Sequence, residues 1–176
     1  ELEYKTMGVI GLGRIGRTVA EAGLAMGMNV IAFDTYQNEE MIKRGVKYVG
    51  YDELLKTADV ISLHCPLTDN NTEMINKESI AKMKDSVIII NNSRGGLINE
   101  RDLADALKSG KVYGAGIDAV SVEPIAKDNP LLSAPNCFIT PHISWAALDT
   151  RRRLIKLAIE NVKAYLSGNP VNIVNN

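Results

Sequence analysis

Three glycines, Gly11, Gly13 and Gly16, stand in a short turn between an apolar run and a helix-like stretch. The apolar run before the turn predicts a buried strand, and a second predicted strand, at residues 29–33, ends directly before Asp34. Gly11 allows the tight turn, Gly13 lets a pyrophosphate approach the backbone, and Gly16 permits close packing of the helix on the strand. This order of strand, glycine turn, helix, strand and acid is typical of a dinucleotide-binding unit.

Asp34 carries the specificity of that unit. It lies 18 residues after Gly16, where an acid accepts hydrogen bonds from the hydroxyls of an adenine ribose. Its negative charge would repel a 2′-phosphate, and Thr35 and Tyr36 follow it rather than an arginine. The sequence therefore predicts NAD rather than NADP. The alternative is a chance glycine turn at a strand end, with Asp34 as an ordinary loop acid.

Composition and charge limit the class of protein. The 176 residues, 45% of them hydrophobic and 23% charged, suffice for one globular domain with a buried core. A net charge of −1 gives no electrostatic reason to expect nucleic acid or an anionic membrane, and the apolar runs are too short to cross a bilayer. Cys65 and Cys137 lie far apart and outside any metal-type cluster, so reduced thiols in the cytoplasm and no metal are expected.

Short apolar runs alternate with amphipathic stretches along the chain. The runs are largely β-branched and predict strands buried on both faces, at residues 7–10, 29–33, 60–63, 87–90, 112–117 and 137–139. Helices are predicted at residues 15–26, 52–57, 77–83, 100–109 and 148–166. This alternation predicts an α/β fold, a doubly wound, Rossmann-like parallel sheet in a three-layer α/β/α arrangement. The long loop 121–135, which contains three prolines, is a candidate functional segment.

Polar residues follow three of the predicted strands at their carboxyl ends, where open α/β sheets bind ligands. Arg94 follows the fourth strand, Asp118 and Glu123 follow the fifth, and His142 follows the sixth. An arginine can clamp a carboxylate, a histidine can exchange a proton near neutral pH, and a nearby glutamate favours the charged histidine. Reduction of a 2-oxo acid needs these three roles. Taken singly, the three residues could instead be a surface ion-pair partner, a solvated acid and a structural histidine.

The segments GLGRIG, HCPLT, NNSRGGLINE, GAGIDAVSVEP and TPHISWA resemble, in order and spacing, the D-2-hydroxyacid dehydrogenase family. The resemblance covers nearly the whole chain. It implies hydride transfer between NAD(H) and a small D-2-hydroxy acid or 2-oxo acid. It also implies that Arg94 binds the substrate carboxylate, that His142 is the acid–base catalyst, and that Glu123 is the carboxylate partner of His142.

The resemblance further implies a set of cofactor-binding residues. Asp118 is expected to hold the nicotinamide carboxamide, and Arg14 and Ile15 are expected to face the pyrophosphate. The whole expected set is Gly11, Gly13, Arg14, Ile15, Gly16, Asp34, Cys65, Pro66, Thr72, Asn92, Ser93, Arg94, Asp118, His142, Ser144 and Trp145.

Two details favour one branch of the family. Glu123 precedes a proline where formate dehydrogenases of the family carry glutamine, and Trp145 stands three residues after His142, as in glycerate dehydrogenases and hydroxypyruvate reductases. Hydroxypyruvate or glyoxylate is therefore the expected substrate. The alternatives are another family enzyme, such as a phosphoglycerate or D-lactate dehydrogenase, and an NAD-sensing corepressor-like protein. Trp145 could also be a buried residue at a helix start, and His64 is expected to have a packing role.

Family members carry a substrate domain built mostly from residues that precede the glycine turn. Because that turn begins here at residue 11, we expect residues 1–176 to form the NAD-binding domain, with the substrate domain mostly absent. Both domains enclose the reacting groups, so the chain alone is expected to show no appreciable turnover. The family's dimers form chiefly through this domain, which implies a homodimer.

Overall fold

Within residues 1–174, the part of the chain that the computed structural model describes, seven parallel strands form one sheet. The spatial order is β3-β2-β1-β4-β5-β6-β7, so the chain winds outward from β1 in both directions. The strands are β1 Thr6–Ile10, β2 Asn29–Phe33, β3 Lys47–Tyr48, β4 Val60–Leu63, β5 Val87–Asn91, β6 Val112–Ile117 and β7 Cys137–Ile139. The predicted doubly wound parallel sheet is confirmed; the last two residues of the predicted domain lie outside the described residues.

Six α-helices and two short 3-10 turns connect or follow these strands within the same residues. The helices are α1 Arg14–Ala25, α2 Glu39–Lys43, α3 Tyr51–Thr57, α4 Lys77–Lys82, α5 Glu100–Ser109 and α6 Leu148–Leu166. Every predicted strand and helix is present, with its ends within one residue of the prediction. The 3-10 turns are Gly95–Leu97 and Pro130–Ser133.

The prediction omitted α2 and β3 and left residues 121–135 without structure. Asn38 begins α2, because its Oδ1 accepts a hydrogen bond from the backbone N–H of Met41 at 3.1 Å. Strand β3 has two residues and little apolar character, so it leaves no periodic pattern. Within the long loop, the side chain of Asn129 accepts from the N–H of Leu131 and starts the turn Pro130–Ser133.

Successive residues of the central strands point to opposite faces of the sheet and enter different parts of the core. Val9 packs in a cluster with Ala20 of α1 and Met41 of α2. Ile10 packs on the opposite face with residues of α3, α4 and α5, Leu103 among them. Helices therefore cover both faces of β1 and β2, and the predicted three-layer arrangement is confirmed.

The internal contacts of the chain define two units. The first, Glu1–Pro141, contains the sheet and α1 to α5, and the second begins at His142 and contains α6. None of the residues of α6 is buried, although Leu154, Ile155 and Leu166 are large and apolar. Among the helices of residues 1–174, none is both long and apolar enough to span a membrane.

Two neighbouring isoleucines of β5 point to opposite faces of the sheet and differ in burial. Ile89 is fully buried and Ile90 is 38% exposed. In the 176-residue chain we expect Ile89→Ala to lower the free energy of unfolding by about 2–5 kcal/mol. We expect the matched Ile90→Ala to cost less than half as much, because its side chain leaves a smaller cavity. Urea unfolding measures both values; equal losses would contradict this account of the two faces.

Candidate active site

The glycine turn follows β1 and brings backbone segments into close contact. Gly11 has a φ of +89°, in the region that favours glycine. A Cβ atom on Gly16 would overlap the carbonyl oxygen of Gly11. The helix α1 therefore begins directly against the end of β1, and the predicted roles of these two glycines agree with the geometry.

Gly13 is different, because a Cβ atom there would meet no atom within 4 Å. Gly13 is the N-cap of α1, and no side-chain hydrogen bond caps it. Arg14 and Ile15 form the first turn and are exposed, Ile15 to 67%. Open space at a helix N-terminus, with backbone N–H groups and the positive end of the helix dipole facing it, fits the pyrophosphate of a dinucleotide.

Asp34 follows β2 and is fixed beside this turn. Its Oδ2 accepts a hydrogen bond from the N–H of Leu12 at 2.5 Å, and its Oδ1 accepts from the N–H of Tyr36 at 3.2 Å. A groove of about 360 Å³ opens here, which suits an adenosine with its ribose toward the acid. It is lined by Ile10, Gly11, Gly13, Phe33, Asp34, Thr35, His64, Cys65, Pro66, Thr68, Asn71 and Met74.

The far wall of this groove is formed by the loop that follows β4. Cys65 and Pro66 line it as expected, but Thr72 is exposed and its hydroxyl donates to the carbonyl of Thr68 at 3.1 Å. Asn71 holds the loop, since its Oδ1 accepts from the N–H of Thr68 and its Nδ2 donates to the carbonyl of Pro66. Such turns are typical of asparagine, yet the prediction did not use that signal. A cofactor contact by Thr72 stays a prediction.

His64 and the two cysteines have environments that fit packing roles. The Nε2 of His64 lies 2.8 Å from the Oγ of Ser62, and burial lowers the pKa of His64, which favours the neutral ring. Cys65 and Cys137 are free thiols and half-buried. Burial raises the pKa of Cys65 and raises that of Cys137 to about 11, so both thiols stay protonated at neutral pH.

The loop after β5 carries Arg94, and the side chain of Asn91 at the end of β5 fixes its backbone. Asn91 is 1% exposed. The Oδ1 of Asn91 accepts from the N–H of Ser93 at 3.0 Å, and its Nδ2 donates to the carbonyl of Arg94 at 2.9 Å. The hydroxyl of Ser93 donates to the carbonyl of Cys65 at 2.6 Å, which connects this loop to the groove beside Asp34. Arg94 and Asn92 are exposed, so the guanidinium is accessible to a ligand while its backbone is fixed.

The loop after β6 carries Glu123 and touches the Arg94 loop. The buried Asp118 donates its N–H to the carbonyl of Asn91 at 2.8 Å, and its Oδ1 accepts from the hydroxyl of Thr140. A Cβ atom on Gly95 would overlap the carbonyl carbon of Val120, so the two loop backbones are in direct contact. Glu123 turns back on this segment, and its Oε1 accepts from the N–H of Val120 at 3.3 Å.

His142 opens the second unit, in the left-handed region with a φ of +53°. The indole Nε1 of Trp145 donates to the carbonyl of His142 at 2.8 Å, which closes a tight turn. Trp145 is 51% exposed and Ser144 is exposed, so the alternative of a buried tryptophan does not hold within the described residues. The structure places Arg94 and Glu123 in contacting loops of the first unit; their meeting with His142 stays a prediction.

Comparison with known proteins agrees with this arrangement. Residues 1–144 match the model of the family described as D-isomer specific 2-hydroxyacid dehydrogenase, NAD binding domain. A hydroxypyruvate reductase from Blautia hydrogenotrophica is 56% identical over 175 residues, which are 99% of this chain and 54% of that protein. A glycerate dehydrogenase from Methylorubrum extorquens is 40% identical over 99% of this chain and 54% of its own length.

A solved structure of a relative has the same fold over nearly the whole of this chain. The D-lactate dehydrogenase from Aquifex aeolicus, in a complex with NAD and lactic acid, is 38% identical and superimposes with a TM-score of 0.90 over 96% of this chain and 55% of its own. The chain belongs to the D-isomer specific 2-hydroxyacid dehydrogenases and contains their NAD-binding domain. It spans about half the length of the relatives it matches. The predicted family and the predicted cofactor, NAD, are confirmed.

Alanine substitutions at Gly13 and Gly16 distinguish an effect on cofactor binding from an effect on folding. We expect Gly13→Ala to lower the free energy of unfolding by no more than about 1 kcal/mol, the cost of alanine at an N-cap, because its Cβ meets no other atom. It should weaken NAD binding by at least about tenfold, since the methyl group occupies the approach of the pyrophosphate. Gly16→Ala should cost at least about 1 kcal/mol of stability, because its Cβ overlaps backbone. Calorimetric NAD titration and urea unfolding of the chain measure these effects; unchanged NAD affinity in Gly13→Ala would refute the assignment.

The two cysteines report where NAD binds. Cys65 lines the groove, whereas Cys137 lies in β7, outside it. At mildly alkaline pH, where the reactive thiolate becomes populated, NAD at about ten times its Kd should slow alkylation of Cys65 about tenfold. Alkylation of Cys137 should not change. Mass spectrometry after iodoacetamide treatment follows both thiols at once, and equal rates at Cys65 with and without NAD would place the cofactor elsewhere.

Proposed function

We propose that the full-length protein is an NAD-dependent oxidoreductase that interconverts a small 2-oxo acid and the corresponding D-2-hydroxy acid. Hydroxypyruvate or glyoxylate is the proposed substrate. The names of the similar proteins support this choice, since relatives at 56% and 40% identity are a hydroxypyruvate reductase and a glycerate dehydrogenase. The placement of Trp145 beside His142 supports the same branch.

The proposed chemistry assigns one role to each residue. NADH, when bound at the glycine turn, supplies the hydride. Arg94 clamps the substrate carboxylate through two parallel hydrogen bonds and helps to polarise the carbonyl group. His142 gives its proton to the carbonyl oxygen, and Glu123 orients the imidazole and favours its charged form.

One observation carries this proposal, namely the direct contact between the loops of Arg94 and Glu123. The backbone of Gly95, which follows Arg94, packs against Val120, and the N–H of Val120 donates to the carboxylate of Glu123. Arg94, which we propose binds the substrate carboxylate, and Glu123, which we propose supports the proton donor, lie at the same edge of the sheet as the groove beside Asp34. Asp118, at the end of β6, is proposed to hold the nicotinamide carboxamide at this edge.

The proposal divides the work between two halves of the polypeptide. Residues 1–176 form the cofactor-binding half and carry the catalytic side chains. The remaining half of the length of the relatives supplies the other wall of the substrate site, which selects the substituent of the 2-oxo acid and excludes water. The isolated chain is accordingly proposed to bind NAD without appreciable turnover.

We also propose that the protein is a cytoplasmic homodimer. Two free cysteines suit a reducing compartment. The large apolar residues exposed along α6, with Ile155 at 61% and Leu166 at 78%, suit a surface that another polypeptide covers.

Steady-state kinetics of the full-length protein test the function. With NADH we expect turnover of hydroxypyruvate or glyoxylate, and His142→Gln should lower kcat about 10²–10⁴-fold because the proton donor is lost. NAD affinity of the variant, measured by titration, should stay within a factor of a few and serves as the control.

The same substrate panel separates the alternatives. Preference for phosphohydroxypyruvate or pyruvate would identify a different enzyme of the family. Tight NAD binding without turnover of any 2-oxo acid would favour a corepressor-like binding protein. A kcat near the wild-type value in His142→Gln would refute the assigned role of His142.

A further inference from the structure

We propose that Glu100 is a positioning residue for Glu123 and thereby sets the geometry between Glu123 and Arg94. This inference rests on the proposed function, in which Glu123 supports the proton donor. Glu100 is the first residue of α5, and the 3-10 turn Gly95–Leu97 lies between it and Arg94. It belongs neither to the cofactor groove nor to the set of residues that are proposed to meet the substrate.

The carboxylate of Glu100 holds both ends of the segment that carries Glu123. Its Oε1 accepts from the N–H of Ser121 at 2.7 Å, and its Oε2 accepts from the hydroxyl of Ser121 at 2.9 Å and from Nδ2 of Asn129 at 2.8 Å. Hydrogen bonds to an ionised carboxylate are shorter and stronger than neutral ones. Three of them close residues 121–129 into a defined loop on the N-terminus of α5.

The two adjacent peptide groups at Val120 and Ser121 transmit this constraint. The N–H of Ser121 donates to Glu100, and the N–H of Val120 donates to Oε1 of Glu123 at 3.3 Å. The backbone of Gly95 packs against the same two residues from the Arg94 side. Holding Ser121 therefore fixes the direction of the Val120 N–H, and that N–H in turn orients the carboxylate of Glu123.

A purely structural role of Glu100 at the helix N-terminus explains less. The side chain of Asn99 already caps α5, because its Oδ1 accepts from the N–H of Asp102 at 3.1 Å. Asp102 supplies a second negative charge in the first turn. The oxygens of Glu100 bond to the Glu123 loop instead, across 21 and 29 residues of sequence.

The test uses the full-length enzyme and compares Glu100→Gln with Glu123→Gln. Glutamine keeps the shape of Glu100 but turns an NH₂ group toward donors. We expect kcat/KM for hydroxypyruvate to fall about tenfold or more, since a misplacement of about 1 Å can cost 10²-fold. The pH above which reduction slows should move downward in both variants, because reduction needs the charged His142 that a well-placed Glu123 favours. NAD affinity should not change.

A double variant and two further single variants distinguish a positioning role of Glu100 from a general effect on the structure. Glu100→Gln should have no further effect on the pH profile once Glu123 is glutamine. Ser121→Ala, which removes one hydroxyl donor, should act in the same direction and more weakly, and it serves if Glu100→Gln does not fold. Asp105→Asn, an exposed acid on the same helix, should leave kcat/KM and the pH profile unchanged.

Two different failures can be told apart. If Glu123→Gln lowers activity and shifts the pH profile but Glu100→Gln does not shift it, or if the two effects add, the positioning role is overturned while the proposed function stands. If Glu123→Gln itself has the wild-type rate and pH profile, the proposed function of Glu123 fails, and the role of Glu100 fails with it.

Discussion

The geometry of the site depends on one buried amide, the side chain of Asn91 at the end of β5. The Oδ1 of this side chain accepts from the N–H of Ser93, and its Nδ2 donates to the carbonyl of Arg94. The backbone carbonyl of Asn91 accepts from the N–H of Asp118. A buried polar group that loses its partners destabilises a protein by about 1–3 kcal/mol. The side chain of Asn91 is therefore stable only where both hydrogen bonds form, and these bonds fix the backbone of the Arg94 loop beside the end of β6.

Several polar groups at this edge bond to other parts of the protein and leave the ligand-facing residues accessible. The hydroxyl of Ser93 holds the carbonyl of Cys65, and the carboxylate of Glu100 holds Ser121. These bonds connect the segments that follow β4, β5 and β6 to one another. Loops that are fixed by hydrogen bonds have fewer accessible conformations, so they lose less conformational entropy when they bind a ligand.

The sequence predicted those features that follow from local chemistry. Buried parallel strands leave continuous apolar runs, so all strands except the two-residue, polar β3 were recognisable. The rule that ligands bind at the carboxyl ends of strands singled out Arg94, Asp118 and Glu123, and in the structure all three follow β5 or β6 at that edge of the first unit. Glu100 and Asn71 were missed because their roles depend on bonds to other loops, and those partners have no fixed spacing in a sequence. A glutamate at a helix start looks like an ordinary helix-stabilising charge until the loop that it holds is known.

Asp34 shows how one side chain can combine a structural bond with a ligand-facing role. Its Oδ2 accepts from the N–H of Leu12, inside the glycine turn, while its carboxylate lines the groove that suits the ribose. The carboxylate that is predicted to repel a 2′-phosphate therefore also accepts a hydrogen bond from the backbone of the glycine turn. Replacing Asp34 by alanine would remove the negative charge and leave the N–H of Leu12 without this acceptor, whereas asparagine would remove the charge and keep an acceptor oxygen. If Asp34 sets the choice of cofactor as predicted, a domain of this kind that accepts NADP needs both an acceptor for the N–H of Leu12 and a cation for the 2′-phosphate.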